Sequence, residues 1–407
     1  MRLAEACASI APKTGRKGRM VVEEVQARQA AAAFDRYAHW RKGPARLALA
    51  VLLLLAALAA WAPGMPRELA DAPDLASTAP PTAAATPEQA TAADGEKDND
   101  LRLYRLIADR VAKGEDYYAA ATRLQRENGY PVAPGLTVRL PTLAYLTAWL
   151  GQGGLVALNY ALVLAVLFFT FRRFAEEPGG EPVKLVGTAL LLVGLATGLS
   201  AQFLVLHEIW AAELMVLSFA LHRPDRGKWI AAWFAAAAAL AVRELALPFG
   251  LLMAAMALWR GNRREGLAWL ALVAIFAAAL AMHLSFAQAQ IRAGDPVSPS
   301  WLALEGIGGW LYKVEHSSVL NLLPQVIAGP LAVLAVFGWT GWKGHAGTFA
   351  ALLSIGYAVA FMIAGRQNNF YWGVIAVPFL FMGLAWMPFA LRSLIAAAMR
   401  SGVGTAT

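Results

Sequence analysis

The sequence predicts an all-α polytopic membrane protein with about ten transmembrane helices. Of its 407 residues, 58% are hydrophobic and 15% charged, against about 45–50% and about 25% in a soluble domain. The apolar residues gather into ten segments, near 46–62, 154–171, 184–201, 203–221, 229–242, 245–259, 265–284, 326–342, 347–364 and 371–390. Lys and Arg fall between these segments with a bias to one side: the short loops on the side of the N-terminus hold 10, the short loops opposite hold 4. By the positive-inside rule both termini are expected in the cytoplasm.

This composition excludes a disordered chain, a disulfide scaffold and an ordinary cytosolic enzyme. The net charge of +8 and pI near 9.7 suggest nucleic-acid binding until position is considered. The basic residues are dispersed between apolar runs and form no stripe, so no nucleic-acid partner is expected. Cys7 is the single cysteine, which excludes an internal disulfide and a thiolate metal site.

The elements follow in order. Residues 1–45 form a cytoplasmic N-terminal segment, with Met20–Trp40 expected as a membrane-surface helix. Residues 46–62 make the first span. Arg41, Lys42 and Arg46 precede it as they would a signal-peptide core, but the preceding 45 residues are long for such a leader, so an uncleaved signal anchor is expected. Residues 63–97 read as a flexible Ala/Pro/Thr-rich linker, most of it too poor in aromatics to pack a core. Residues 98–150 read as an external helical loop, and 154–400 as the membrane body, with a second external loop at 286–325. Several spans are shorter than the ~20 residues a straight crossing needs, so broken helices or helices ending in a polar cavity are expected. The pairs 184–221 and 229–259 each also fit one longer helix with a re-entrant turn.

Within 98–150, Leu103, Tyr104, Ile107 and Val111 recur at helical spacing, with Asp100 placed to cap that helix. Gly114 breaks it, Asp116 caps a second helix to about Glu127, and Asn128-Gly129-Tyr130-Pro131 is a turn. Ala144–Leu150 reads as an amphipathic stretch at the outer membrane surface. Taken locally, an Asp at a helix start contributes about 1 kcal/mol as a cap and requires no chemistry.

The order Asp100-x-x-x-Tyr104, Gly114-Glu115-Asp116-Tyr117-Tyr118, Arg139-x-Pro141-x-Leu143 resembles the first external loop of the GT-C superfamily of glycosyltransferases, such as aminoarabinose transferases and protein O-mannosyltransferases. The match covers about 45 residues, and the spans by layout alone. The resemblance implies a GT-C-like fold and a polyprenyl-phosphate sugar donor. It implies Asp100 as catalytic base and Arg139 as a contact to the donor phosphate, with Tyr104 in the same motif. The run Asp98-Asn99-Asp100 leaves open which Asp is primary. Two departures are the long linker and Arg-Leu-Pro-Thr in place of Lys-Pro-Pro. The chemistry is consistent: transfer from a lipid phosphate needs a carboxylate near the acceptor hydroxyl and cations over the departing phosphate. A single displacement inverts the anomeric centre.

Other charges sit at the outer ends of spans: His207-Glu208, Arg243-Glu244 and Arg366. A charge at bilayer depth costs about 2.5–3.5 kcal/mol even on lenient scales, so each is a functional candidate. By the resemblance, Glu208 occupies the place of a second acidic motif linked to metal or acceptor binding. With Asp98 or His207 it would ligate a divalent cation (Mg, Mn or Zn). The alternative is a structural pair with Arg243. Arg243 either neutralises the lipid phosphate or holds Glu208 or Glu244. Arg366 either contacts phosphate or sugar or anchors an interfacial aromatic belt. Glu213 reads as a buried paired carboxylate, and His283 and His316 as structural. Trp301, Trp310 and Tyr312 are candidates to stack on sugar or to be buried at the interface. The absence of Gly-x-Gly-x-x-Gly, P-loop and HExxH patterns gives no ground for a nucleotide cofactor.

The expectation is a multi-pass enzyme of a bacterial inner membrane. It would transfer sugar to a periplasmic glycan, lipid or protein, with Asp100, Asp98 and Glu208 in catalysis. Arg139, Arg243 and Arg366 would hold phosphate. The rival readings are a transporter or lipid flippase and a non-catalytic subunit of a glycan-assembly complex. No inverted repeat is visible, and the charges lie at one face rather than the midplane.

Overall fold

The computed structural model describes residues 34–62, 88–177 and 181–400, with the backbone alone for 88–99, 181 and 367. Cys7, most of the expected surface helix Met20–Trp40 and residues 63–87 of the expected linker lie outside the described residues.

Apolar runs fold as helices because a helix satisfies each backbone N–H and C=O within its own segment. Among the described residues the chain is helical throughout and contains no strand. Fourteen α-helices follow in order. They are α1 Lys42–Trp61, α2 Glu88–Ala112, α3 Tyr117–Glu127, α4 Thr142–Ala175, α5 Glu181–Gly194, α6 His207–Leu221 and α7 Ile230–Val242. Then come α8 Leu247–Trp259, α9 Arg263–Gln288, α10 Gly306–His316, α11 Gln325–Gly338, α12 His345–Ile363, α13 Val377–Leu384 and α14 Met387–Met399. A 3₁₀ segment, Gln367–Ile375, precedes α13.

The structure contains four helices long and apolar enough to cross a membrane, α1, α4, α9 and α12, and a fifth if α13 and α14, bent by 56°, make one broken span. The remaining apolar segments fold into helices too short for a straight crossing, among them α5, α7, α8 and α11. The break between α5 and α6 is filled by two 3₁₀ turns, Ala196–Leu199 and Ala201–Phe203. Arg243 and Glu244 stand in the break between α7 and α8. Polar residues thus enter the bundle where helices stop.

One local expectation is corrected. Asp100 is not an N-cap, because α2 begins at Glu88 and carries Asp100 in its interior. Ala, Glu, Gln and Lys among residues 88–97 favour helix and extend it backward through that end of what composition alone marked as linker. Asp116 does cap α3, its Oδ1 accepting from the Ala119 amide at 2.9 Å.

Two faces of α2 explain its position. Leu101 packs with Leu143, Leu155, Leu206 and Ile209 on the membrane body. Leu103, Ile107 and Val111 pack with Tyr117, Leu124 and Ala287, tying α2 to α3 and to α9. At Gly151, inside α4, φ is +65°, a conformation that favours glycine. There the amphipathic turn 142–150 bends into the span. Close approach requires glycine at Gly338, where a Cβ would fall on the Gly383 carbonyl and separate α11 from α13.

Candidate functional site

A cavity of about 1060 Å³ opens between α2, the start of α6, the end of α10 and the 3₁₀ segment. Asp100, Tyr104, Arg139, His207 and Arg366, spread over 266 positions of sequence, all line it.

Arg139 is its best-anchored cation. Its Nε donates to Tyr104 Oη at 3.1 Å and its Nη2 to Tyr371 Oη at 2.9 Å. Tyr117 Oη donates to the Arg139 carbonyl at 2.6 Å, which fixes the backbone. Among the described residues no carboxylate lies within 4.0 Å of the Arg139 guanidinium. Burial pushes the Tyr104 phenol above its ordinary pKa, so it stays neutral and serves as an acceptor for the guanidinium. Asp100 is close enough for its charge to act on both Tyr104 and Tyr371. The His207 ring meets Tyr104 edge-on, with centroids 5.7 Å apart. Its Nε2 faces the Leu140 carbonyl at 3.3 Å, which places the ring proton there.

Arg366 is the second cavity cation. Its Nη2 donates to Ser298 Oγ at 3.3 Å, while its buried Nε has no hydrogen-bond partner. Its backbone amide is held by Asn369 Oδ1 at 3.3 Å. No ion pair to Arg366 occurs among the described residues.

Glu208 and Arg243 are placed differently. Both are 1% exposed, neither lines the cavity, and Arg243 Nε stands 2.8 Å from Glu208 Oε1. Arg243 also pairs with Glu244 and lies over the Trp372 ring, 5.9 Å from its centroid. One cation therefore faces two carboxylates, the buried Glu208 and the half-buried Glu244, and Arg139 is a further positive charge that both reach. Glu213 is buried and accepts from Asn159 Nδ2 at 3.1 and 3.2 Å. Asp98 lies in the backbone of α2, and its side chain is outside the described residues. No group of three or more His, Cys, Asp or Glu able to hold a metal ion occurs among the described residues. Glu208 is paired with Arg243, and the Asp98 side chain expected to share a cation with it lies outside the described residues.

Sequence reasoning passed over Tyr371, Tyr117 and Ser298 as individual site residues. Tyr371 lies five positions after Arg366 in the same polar interruption between two apolar runs, and that interruption is the signal. Ser298 belongs to a strap, residues 289–305, of which 296–299 and Trp301 line the cavity. The strap is held on one side by Val132 N to Pro296 O and Ser298 N to Ala133 O, and on the other by Gly365 N to Trp301 O. Of the loop aromatics, Trp301 and Tyr312 line the cavity, whereas Trp310 is buried in the core. His316 lines the cavity. His283 stands between Tyr118 Oη and the Val138 carbonyl.

The strap is latched by Arg126, whose Nε and Nη2 grip Asp295 at 2.5 and 2.8 Å. That contact holds the Asp295 carboxyl down at about 2, against 3.8 ordinarily. A depressed carboxyl contributes its full stabilisation above the ordinary value and loses it as pH falls from 3.8 towards 2. Amide protection factors in residues 290–300, taken against the intrinsic exchange rate at each pH, are therefore expected to stay constant between pH 5 and 8. Asp295→Asn should raise amide exchange there at neutral pH, and an unchanged rate would show that the latch holds nothing.

Removing Arg243 leaves the buried Glu208 carboxylate without its counter-charge. Arg243→Ala is expected to lose about 3–5 kcal/mol of stability, read as a fall in the thermal midpoint of the purified protein. A midpoint equal to wild type would contradict the buried pairing.

Comparison of the chain with protein-family models, curated proteins and solved structures finds no match in any of the three.

Proposed function

We propose that the protein is a GT-C-type membrane glycosyltransferase that transfers a sugar from a polyprenyl-phosphate donor to an acceptor hydroxyl. The observation that supports this reading is the meeting of one carboxylate, Asp100, in one cavity with two arginines, Arg139 and Arg366, that have no carboxylate partner among the described residues. Two such cations favour an anion; a carboxylate beside them favours proton abstraction.

In the proposed step, Asp100 takes the proton of the acceptor hydroxyl as its oxygen bonds to the anomeric carbon. The bond from that carbon to the phosphate oxygen breaks, and its electron pair leaves with the phosphate. The phosphate gains one negative charge, which Arg139 and Arg366 stabilise. A single displacement from the opposite face inverts the anomeric centre. Tyr104 and Tyr371 orient Arg139, and His207 packs against Tyr104. Arg243 and Glu208 act as positioning residues rather than touching substrate, and no step is routed through a metal. Asp98 remains the second candidate base.

The ten apolar segments are proposed as ten membrane-embedded elements of a bacterial inner membrane. Both termini would be cytoplasmic and the cavity would open to the periplasm, where lipid donor and polar acceptor meet. Glycan, lipid and protein are the acceptor classes this leaves.

Asp100→Asn in the purified, folded protein tests the reading. Transfer from a radiolabelled polyprenyl-phosphate sugar should fall about 10²–10⁴-fold, while polyprenyl phosphate still binds. Full transfer by Asp100→Asn would overturn the assignment of the base. Lipid translocation in vesicles without any transfer by wild type would favour a flippase instead.

A further inference from the structure

The cavity lining includes Asp100, Tyr104, Arg139 and His207. The strap, the end of α10 and the 3₁₀ segment line it as well and are bonded into one wall, whose Tyr371 accepts from Arg139. Gly365 N donates to the Trp301 carbonyl at 2.7 Å, and Ser317 Oγ donates to the Phe370 carbonyl at 2.7 Å. This wall presents Trp301, the Tyr312–His316 pair with ring centroids 4.0 Å apart, and the amides of Asn321 and Asn368. Both asparagines are exposed, and neither side chain hydrogen-bonds within the described residues. Apart from Arg366, no Lys, Arg, Asp or Glu of these segments lines the cavity among the described residues.

We infer that this wall is a subsite for a neutral saccharide, and that the acceptor is the end of an uncharged glycan. Aromatic plates offer apolar area and a polar edge together, which suits the alternating C–H and hydroxyl faces of a sugar ring. Side-chain amides carry a donor and an acceptor and so match neighbouring hydroxyls. Arg366 is the one Lys or Arg of this wall that lines the cavity among the described residues, and it serves the donor phosphate in the proposed step. A phosphorylated or acidic acceptor would therefore compete with the donor for it, and a lipid tail would strand the two amides without hydrogen bonds. At about 1060 Å³ the cavity lies at the top of the range, about 300–1,000 Å³, that holds a drug-sized ligand. That is room for a second sugar unit beside the donor's.

This inference rests on the transferase reading, and the two fail separately. The test uses the full chain in detergent and saturation-transfer NMR. The probes are neutral di- to tetrasaccharides of gluco, manno, galacto and arabino configuration, the same sugars bearing a phosphate, and polyprenyl phosphate. Neutral oligosaccharides are expected to bind. Trp301→Ala should weaken them about tenfold or more and Trp301→Phe should restore most of the loss. Asn368→Ala should weaken them too. Polyprenyl phosphate should bind Trp301→Ala as it binds wild type. Binding of phosphorylated sugars alone, or of no saccharide in the panel, overturns the subsite. Failure of polyprenyl phosphate to bind wild type counts against the transferase reading and leaves saccharide binding as a separate result.

Discussion

The Arg139 guanidinium is bonded to phenols 35 residues before it and 232 residues after it, and most of the site depends on this grip. Tyr104 rides on α2, whose own apolar faces fasten it to the membrane body and to α3. Tyr371 rides on the 3₁₀ segment that also carries Arg366 and Asn369. One side chain thus joins the external helices to the far end of the chain across the cavity wall. Phenols suit this purpose because they hold a guanidinium in place without neutralising it. A carboxylate in either position would fix the arginine equally well and cancel the charge the cavity presents.

A second device sits behind the first. Glu208 at the start of α6 and Glu244 in the break before α8 are both drawn to Arg243, in a region where helices break off short of a full span. Charges are tolerated there because each has a counter-charge within reach and because the broken ends supply polar backbone. The arrangement leaves Arg139 as a further cation that the excess carboxylate charge reaches without direct contact. The trio therefore sets the electrostatic background of the cavity while taking no place on its surface.

The fold class was legible in the sequence because apolar runs between basic loops have few solutions other than helices. The register of α2 was legible too: Leu103, Ile107 and Val111 are buried where helical spacing put them. Its start was not, since Ala-rich acidic sequence serves as helix or linker and tertiary context decides. For the site, Asp100, Tyr104 and Arg139 were singled out by the loop motif and its resemblance, and His207 and Arg366 as polar residues at the ends of apolar segments; the structure brings all five to one cavity. What spacing alone does not reveal is direction. Arg243 and Arg366 look alike in sequence, yet Arg243 turns inward to two glutamates and Arg366 faces the cavity. Tyr371, Ser298 and the strap's tethers come from segments far apart in sequence, and no local pattern marks such a meeting.

The account claims that the cavity holds a lipid-linked phosphate between Arg139 and Arg366 with Asp100 beside the sugar. A cryo-electron-microscopy structure of the full chain with a polyprenyl-phosphate sugar measures this directly. The account predicts phosphate density within hydrogen-bonding distance of both guanidinium groups and the anomeric carbon on the side of Asp100. Phosphate bound elsewhere, with Arg139 still held only by Tyr104 and Tyr371 and Asp100 remote from the sugar, would contradict it.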